Sequence, residues 1–355
     1  MLKKIPSYII FLICMICCQS ITVAQHVQKD STSIDIVAVG DIMLGTNFPD
    51  NSSLPPKNGA LLLSEADALI KNASVSFGNL EGCFLDAGGK SKGSGPNVYN
   101  FRQPTSYATH LKSAGFDLLS IANNHIKDFG TLGIESTANT LMENRIAFAG
   151  TPQQPYCIII RNGIKIGMIA FAPHDGCLNM LQTELAIKLV KEAKSKVDIL
   201  MVSFHGGAEG SGATHVTRKR EIFFNQDRGN VYAFAHAVVD AGADLVIGHG
   251  PHVPRAMEVY KSKLIAYSLG NFCTYGKFNL KGISGYAPML VARVTKQGDI
   301  IEGQIISFLQ KGEGGPVIDT QHHAAKMMAT LSQQDIPESN LQFTDDGKFF
   351  LKRIH

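Results

Sequence analysis

The stretch IDIVAVGDIMLG (Ile34–Gly45) joins a predicted buried strand to a carboxylate at its end. The segment Ile34–Val39 is mostly apolar, which is typical of a strand that is covered on both faces. Gly40 permits a sharp turn, and Asp41 follows it directly. Ligands of open α/β sheets bind outside the carboxyl ends of the strands. The stretch therefore predicts an α/β fold with functional side chains at that edge.

Beyond this stretch, strand and helix patterns alternate in the first half of the chain, whereas hairpin signals such as Asn162-Gly163 appear mid-chain and, as at Gln297-Gly298, dominate late. The Gly/Ser/Lys-rich stretch Ala87–Asn97 is predicted to be a mobile surface loop. The predicted helices are Ala60–Lys71, Pro104–Ala114, Leu132–Asn144, Leu181–Ser195 and Val231–Ala241. No break in composition separates two domains. We predict one α/β domain, residues 34–310, with two packed mixed sheets flanked by helices. A weaker tail, residues 311–355, is predicted to pack on it with a short helix and a hairpin at Asp345-Asp346-Gly347.

The first residues have the layout of a secretory signal. A short positive start precedes the apolar run Tyr8–Cys18, and Thr22-Val23-Ala24 then supplies small residues for cleavage. The run is shorter than the roughly 20 apolar residues of a membrane span. We predict a signal peptide over residues 1–24, a polar linker over 25–33, and export to the periplasm or cell envelope. The alternative is an uncleaved leader that anchors the chain in the membrane.

Charge and cysteine content exclude some classes of protein. The formal net charge is +3 without a long Lys/Arg run, whereas nucleic-acid-binding domains usually carry a basic stripe. We therefore predict no nucleic-acid partner. Four isolated cysteines follow the leader, which is neither a disulfide framework nor a C-x-x-C zinc site. One disulfide bridge and buried free thiols both stay open for Cys83, Cys157, Cys177 and Cys273.

Polar residues with metal-ligating chemistry follow six predicted strands. They are Asp41, Asn79 with Glu81, Asn123-Asn124-His125, His205, His249 with His252, and Asn271. Each alone is typical of a turn, a helix cap or a buried hydrogen-bonded residue, but their joint position at strand ends favours a site. Imidazole, carboxylate and amide oxygens suit divalent ions such as Mn, Fe and Zn. No cysteine accompanies them, which disfavours a structural zinc site.

Six motifs carry a resemblance to a known family. They are GDIMLG (Gly40–Gly45), GNLEG (Gly78–Gly82), ANNHIKDFG (Ala122–Gly130), FHGGAE (Phe204–Glu209), GHGPHVP (Gly248–Pro254) and YSLGNF (Tyr267–Phe272). In this order they resemble the CapA-type poly-γ-glutamate capsule biosynthesis family, over Ile34 to Phe308. That family is similar to calcineurin-like metallophosphoesterases. The resemblance implies a metallophosphatase-like four-layer α/β/β/α sandwich with two mixed sheets.

The resemblance also implies roles for individual residues and one or two divalent metal ions. Asp41 and His252 would bind a first metal, and Glu81 would stand where the phosphoesterase pattern has its bridging carboxylate. The implied ligands of a second metal are Asn124, His205 and His249. His125 would be the catalytic acid, and Asp128 would orient its imidazole. Substrate contacts are predicted for Asn79, Asn123, Glu209, Arg228 and Asn271.

Two positions depart from the phosphoesterase pattern. The usual D-x-H after the first strand is D-I-M here, so Met43 replaces a histidine ligand. The usual G-H-x-H is stretched to G-H-x-x-H at His249 and His252. These departures agree with the capsule-type family. They leave open a weakly occupied first site, a single metal ion, or a protein without hydrolytic activity.

Three functional hypotheses remain from the sequence. The first is a metal-dependent hydrolase of phosphoester type in the biosynthesis of a surface polymer, with two metal ions clamping the reacting oxygens. The second is a non-catalytic factor that binds or assembles an acidic polymer, with a membrane-bound polymer synthase as a partner. The third is an amide hydrolase or ligase acting on γ-glutamyl bonds. Basic residues in or near the candidate loops that could contact anions are Arg102, Arg218, Lys219, Arg228 and Arg255.

Overall fold

The computed structural model describes residues 33–95, 98–311 and 315–352. The predicted signal peptide and nearly all of the predicted linker lie outside the described residues. The helices are α1 (Asp67–Asn72), α2 (Ala108–Ala114), α3 (Gly130–Glu143), α4 (Thr183–Lys194), α5 (Val231–Asp240) and α6 (His323–Asp335). Among these helices, none has the length and apolar character that crossing a membrane requires.

The strands fall into two large sheets and two small ribbons. In chain order they are β1 (Ser33–Met43), β2 (Val75–Leu80), β3 (Cys83–Phe84), β4 (Arg102–Gln103), β5 (Leu118–Ser120), β6 (Ala147–Ala149), β7 (Tyr156–Arg161), β8 (Ile164–Phe171), β9 (Ile199–His205), β10 (Glu221–Phe223), β11 (Gln226–Gly229), β12 (Leu245–His249), β13 (Met257–Tyr260), β14 (Lys263–Ala266), β15 (Asn271–Thr274), β16 (Tyr286–Thr295), β17 (Ile300–Gln310), β18 (Pro316–Ile318), β19 (Leu341–Phe343) and β20 (Lys348–Leu351).

The first sheet is built around β1. Its main strand order is β19-β20-β17-β16-β1-β2-β5-β6. The run β1-β2-β5-β6 is parallel, whereas β16 and β17 are antiparallel to their neighbours, so the sheet is mixed. Along one edge, β1 pairs with β16 up to Val39 and then with β15 from Asp41 onward. This exchange of partners at Gly40 brings β15 beside the end of β1.

The second sheet has the order β13-β14-β12-β9-β8-β7. Its inner strands are parallel, and its two edge strands, β13 and β7, are antiparallel to their neighbours. The parallel register places the ends of β9 and β12 side by side. Both large sheets therefore deliver strand ends that can carry functional groups.

Apolar side chains between and outside the sheets define four layers. Ile36 and Phe77 of the first sheet share a buried cluster with Met201 and Ile247 of the second. Helices α1, α2 and α3 cover the outer face of the first sheet, and α4 and α5 cover the second. Burial of each large aliphatic side chain contributes about 1.5–3 kcal/mol relative to exposure. The predicted α/β/β/α sandwich with two mixed sheets is confirmed.

The first predicted helix is shorter than expected. The apolar spacing predicted Ala60–Lys71, but α1 begins only at Asp67. In the preceding turns, the backbone N–H of Leu62 donates to the carbonyl oxygen of Gly59, three residues earlier, and Leu62 and Leu63 already point into the core. The prediction that the apolar face is buried is correct, whereas the prediction of an α-helix before Asp67 is wrong.

The tail adds strands to the first sheet. β18 and β20 both pair with β17, and the predicted hairpin at Asp345-Asp346-Gly347 joins β19 to β20. Helix α6 buries Met328 and Ala325 in the cluster between the sheets. The described residues all belong to one compact unit, Thr32–His355.

The four cysteines after the leader are buried free thiols in the described residues. Burial raises the pKa values of Cys83, Cys157 and Cys177 to about 12, so these side chains stay protonated at neutral pH. Of the two alternatives from the sequence, free thiols are therefore the observed one.

Candidate metal centre

Backbone register brings the predicted strand-end residues together. Asp41 of β1 is aligned with Asn79 of β2 on one side and with Asn271 of β15 on the other. In the second sheet, His205 at the end of β9 is aligned with His249 at the end of β12. Neighbouring parallel strands end at the same edge of a sheet. We call the edge that carries Asp41, Asn79, Asn271, His205 and His249 the rim.

Two glycines allow the strands to approach closely at this rim. A Cβ atom at Gly40 would lie 2.0 Å from the carbonyl oxygen of Gly270. A Cβ atom at Gly248, next to His249, would lie 2.2 Å from the carbonyl oxygen of Tyr267. Any side chain at either position would push the backbone apart and displace the adjacent ligand.

We therefore expect Gly248→Ala to lower the free energy of unfolding by about 1–3 kcal/mol, because the clash is with rigid backbone. Urea unfolding of the metal-free protein measures this. Gly212→Ala is the matched control, since no atom lies within 4 Å of a Cβ there, and we expect it to be neutral or slightly stabilising. Equal stability of the two variants would contradict the close-approach argument.

Asp41, Glu81 and His252 form the tightest group of ligand-type atoms. One atom from each lies within 4.8 Å of the other two. The Nδ1 atom of His252 lies 3.0 Å from Asp41 Oδ2, and its Nε2 atom lies 3.6 Å from Glu81 Oε1. His252 adopts a left-handed backbone with φ of 58°, which is uncommon for a residue other than glycine and often marks functional sites.

A second set of ligand atoms is buried without partners. Both carboxylate oxygens of Glu81, the Oδ1 atom of Asn124, and the Nε2 atoms of His205 and His249 form no hydrogen bond with the described residues. Buried polar atoms are normally hydrogen-bonded, so a group of ligand-type atoms without hydrogen bonds in one region indicates a ligand. The Nδ1 atom of His249 also lies 3.4 Å from Asp41 Oδ1, which connects the two sets.

Three buried asparagines hold these groups in place. Asn79 donates a hydrogen bond to Asp41 Oδ1 at 2.8 Å, and its Nδ2 atom lies 3.4 Å from His205 Nδ1. Asn123 donates to Asn79 Oδ1, and Asn271 Oδ1 lies 3.1 Å from His252 Nδ1. All three side chains are buried, and these bonds orient the ligands. Their predicted contact with substrate stays a prediction.

The pKa values of the buried groups at the rim are shifted by burial and by close charged partners. Burial acts to raise the pKa of Asp41, but His249 and His252 outweigh it and hold the pKa below its usual range. Burial raises the pKa of Glu81 well above its usual range. For His252, burial acts to lower the pKa, but Glu81 and Asp41 prevail and raise it to about 10, so a metal ion bound by this imidazole would have to displace its proton. Burial keeps His205 neutral by holding its pKa well below the usual value, and neutral imidazole is the form that binds metals.

His125 and Asp128 lie together at the edge of the rim, as predicted. The Nδ1 atom of His125 lies 2.7 Å from Asp128 Oδ2, and the Nε2 atom lies 3.8 Å from Glu81 Oε1. Asp128 is fully buried, accepts a hydrogen bond from the backbone N–H of Phe101, and forms an ion pair with Lys92 at 2.6 Å. Burial lowers the pKa of His125, and Asp128 opposes that effect.

A cleft of about 780 Å³ opens above the rim. His252, His125 and Asn124 form its floor. Glu209 pairs with Arg228 at 2.7 Å in its wall, and Glu209 Oε2 lies 3.9 Å from His252 Nε2. Both residues predicted to contact substrate from this wall therefore line the cleft.

Sequence reasoning missed several residues of the cleft. His174 lies 3.3 Å from an Arg228 guanidinium nitrogen, and Lys92 lies in a segment that was predicted to be a mobile surface loop. His174 follows β8 by three residues, so the strand-end rule used for the predicted metal ligands would also have identified this cleft residue. The β10–β11 hairpin was also missed, because its turn residues are Phe224 and Asn225, both with positive φ.

The change of the unfolding free energy with pH should reveal the protonation of His174. Burial, followed by the charge of Arg228, lowers its pKa to about 3, whereas an unfolded histidine titrates near 6.5. The unfolded chain thus binds the extra proton between these values, and stability is lost as pH falls from about 6.5 toward 3. In the metal-free protein, we expect His174→Gln to lose less stability than the parent between about pH 8 and pH 5. Identical losses in urea unfolding would contradict this prediction.

Most of the basic residues proposed as anion contacts have structural partners instead. Arg255 is fully buried and forms an ion pair with Glu221 at 2.8 Å. Arg218 pairs with Glu338, and Arg102 donates to Asn47 Oδ1. Of the five, only Arg228 lines the cleft.

Met43, the departure from the phosphoesterase pattern, is buried at the end of β1. Its Sδ atom accepts a hydrogen bond from the backbone N–H of Gly45 at 3.2 Å. The position therefore has a local packing role. Asp41, Glu81 and His252 are the ligand-type side chains grouped at the first site in the described residues.

Comparison with known proteins identifies relatives of this chain. Residues 35–275 match the family described as bacterial capsule synthesis protein PGA_cap. The chain is 27% identical over 271 residues to the capsule biosynthesis protein CapA of Bacillus anthracis, covering 70% of this chain and 62% of that protein. It is 30% identical over 178 residues to the PGA biosynthesis protein CapA of Bacillus subtilis (strain 168), covering 46% of this chain and 43% of that protein.

Among solved structures, a 5′-nucleotidase precursor from Thermus thermophilus matches with a TM-score of 0.44 and 13% identity, covering 85% of this chain and 59% of that chain. In each of these three comparisons, the chain spans less than two thirds of the other protein's length. The matched family segment covers more than half of the chain and includes every predicted metal ligand. The resemblance predicted from the six motifs is confirmed: the chain belongs to the bacterial capsule synthesis protein PGA_cap family.

Proposed function

We propose that this protein is a metal-dependent hydrolase of phosphoester type that acts in the cell envelope during biosynthesis of an acidic surface polymer such as poly-γ-glutamate. The observation that supports it most is the set of unpaired buried ligand atoms at the rim. Glu81, Asn124, His205 and His249 each hold such an atom. Leaving a buried polar group without a hydrogen bond costs about 1–3 kcal/mol, which a bound cation would offset.

The donor set fits one or two divalent ions of the Mn, Fe or Zn class. Asp41 and His252 would hold a first ion and Glu81 would lie between the two positions, while Asn124, His205 and His249 would hold a second. When bound, such ions supply Lewis acidity that activates water and neutralises charge developing on a phosphoryl oxygen. The three buried asparagines keep the donors oriented before the ion arrives.

His125 is suited to move a proton at the leaving oxygen. With Nδ1–H donated to Asp128, the Nε2 atom faces Glu81 and the cleft. In its protonated form, His125 would donate the Nε2 proton to the leaving group, and Asp128 would stabilise the imidazolium meanwhile. A pKa that burial has lowered makes that imidazolium a stronger acid.

Cations in the cleft would receive the anionic parts of the substrate. Arg228 is held by Glu209 and stacks its guanidinium over the ring of Phe223 at 5.4 Å. Lys92 has a side chain that is one third exposed and reaches the cleft beside His125. Because these cations are already held in place, they can position phosphate or carboxylate groups with little further loss of side-chain conformational entropy on binding.

The direct test is metal analysis followed by a substrate panel. We expect purified protein to retain or take up Mn, Fe or Zn and to hydrolyse p-nitrophenyl phosphate or bis-p-nitrophenyl phosphate. Removal of the metal with a chelator should abolish turnover, and its return should restore it. A metal-loaded protein that is inactive on a broad panel of phosphomonoesters and phosphodiesters would overturn the proposal, and activity on γ-glutamyl amides alone would indicate amide hydrolysis instead.

A second candidate function is a non-catalytic factor that binds an acidic polymer and works with a membrane-bound polymer synthase. The packing of Met43 supports it, because the first site has one imidazole fewer than the phosphoesterase pattern. The variants Asp41→Ala and His205→Ala test whether such binding centres on the metal. Loss of metal with unchanged polymer binding would count against a metal-centred binding role.

A further inference from the structure

The cleft above the metal centre is the middle section of a longer groove. It shares Phe278 and Asn279 with a depression of about 390 Å³ whose lining includes Lys281. It also shares Lys92, Asn124 and His174 with a second depression of about 750 Å³ whose lining includes Lys127 and Leu181. We name these the Lys281 arm and the Lys127 arm. The two arms share no lining residue with each other, and Asn124, His125 and His252 of the candidate site line the middle section.

Cations predominate along this groove. Its lining includes six cationic side chains and three carboxylates. Each carboxylate already has a cationic partner: Asp175 pairs with Lys127, Glu209 with Arg228, and Asp227 with Arg220. The groove therefore presents a net positive surface to a ligand.

Exposed lysines without an ion pair lie in both arms. Lys281 lies in the Lys281 arm, Lys90 lies in the Lys127 arm, and Lys277 lines the middle section between them. None of these three forms an ion pair with a residue that the structure describes. A site for a small phosphoester would need cations near the reacting centre only, whereas these cations extend away from it in two directions.

From this arrangement we infer that the groove binds an internal segment of a linear polyanion, with charged units seated in both arms and the central unit at the metal centre. This inference rests on the proposed function for the location of the reacting centre. It deepens that function by naming the ligand class: the reacting phosphoester would lie within, or be attached along, a polyanionic chain, and no free chain end would be required. γ-Linked glutamate oligomers contain no phosphoester and therefore serve as binding probes only.

The test measures equilibrium binding to the full, metal-loaded chain carrying His125→Gln, so that turnover does not interfere. The probes are γ-linked glutamate oligomers of short, intermediate and long length, acetylated at the amino end and amidated at the carboxyl end. Polyphosphate of matched length is a second probe that distinguishes phosphate from carboxylate polyanions. We expect affinity to rise with length until both arms are occupied, and each capped oligomer to bind as tightly as its uncapped form of the same length.

Charge reversal separates the two arms. Lys281→Glu in one arm and Lys90→Glu in the other should each weaken binding of the long oligomer several-fold and leave binding of the shortest oligomer unchanged. Lys326→Glu, at an exposed position on α6 outside the groove, is the matched control and should bind like the parent.

Three results would overturn the inference: affinity that stops rising at the shortest length, binding that requires a free chain end, or sensitivity to one arm only. These outcomes are independent of hydrolysis. A protein that hydrolyses small phosphoesters but ignores the long oligomers retains the proposed function and loses this inference. An inactive protein that binds capped long oligomers through both arms loses the proposed hydrolase function and retains the groove.

Discussion

Replacement of Asp41 by asparagine is expected to lower the affinity for divalent metal by more than about 100-fold. Substitution of residues that contact only the ligands typically lowers metal affinity by about 10–100-fold, and loss of a ligand's charge should exceed that. Asp41 connects the two sets of ligands, because its oxygens lie 3.0 Å from His252 Nδ1 and 3.4 Å from His249 Nδ1. Asparagine keeps the shape of the side chain and removes the charge. Metal content after dialysis and calorimetric titration with Mn²⁺ or Zn²⁺ measure the effect.

Asp35→Asn is the matched control for that variant. Asp35 lies on the same strand but pairs at the protein surface with Arg293 at 2.9 Å. We expect it to bind metal like the parent, and circular dichroism should show that both variants are folded. If the Asp41→Asn protein retained its metal at parental affinity, the ion would bind elsewhere and the proposed mechanism would have no basis.

Replacement of His125 by glutamine is expected to reduce turnover by about 10²–10⁴-fold, the range for loss of a general acid. Metal content should stay unchanged, because the His125 Nε2 atom lies 3.8 Å from Glu81 Oε1 and belongs to neither predicted ligand set. Steady-state kinetics on the best substrate of the panel, together with metal analysis, measure the two quantities separately.

His110→Gln is the control, because this imidazole packs against Tyr107 and lies near the carbonyl of Asn58, outside the residues that line the cleft. It should retain parental kinetics. If His125→Gln instead loses metal together with activity, His125 is a ligand and its role as an acid is wrong. If it keeps full turnover, another group must protonate the leaving oxygen.

Much of the architecture was predictable from local patterns. The long apolar segment before Gly40 and the hairpin signals at Asn162-Gly163 and Gln297-Gly298 correspond to β1 and to the β7–β8 and β16–β17 hairpins. These signals depend on residues that are neighbours in the chain, where side-chain periodicity and turn chemistry act directly.

Elements that depend on distant partners were missed. β15 (Asn271–Thr274) is a short strand that exists because it pairs with the end of β1, far away in the sequence. The β10–β11 hairpin has an unusual Phe-Asn turn, so its contribution of Arg228 to the cleft was visible only in the folded chain. Similarly, Lys92 was assigned to a surface loop, but Asp128 holds it beside His125.

The sequence by itself determined which residue types stand at which strand ends, since a glycine followed by a carboxylate, amide or imidazole is a local feature of the chain. Only the tertiary structure decided which of them meet. His205 and His249 become neighbours through the register of β9 and β12, and His252 reaches Asp41 and Glu81 through a left-handed turn across two packed sheets. Contacts such as that between His252 and Asp41 join segments some 200 residues apart in the chain. The packing free energy that selects these contacts comes from the whole hydrophobic core, so no local sequence pattern can predict them.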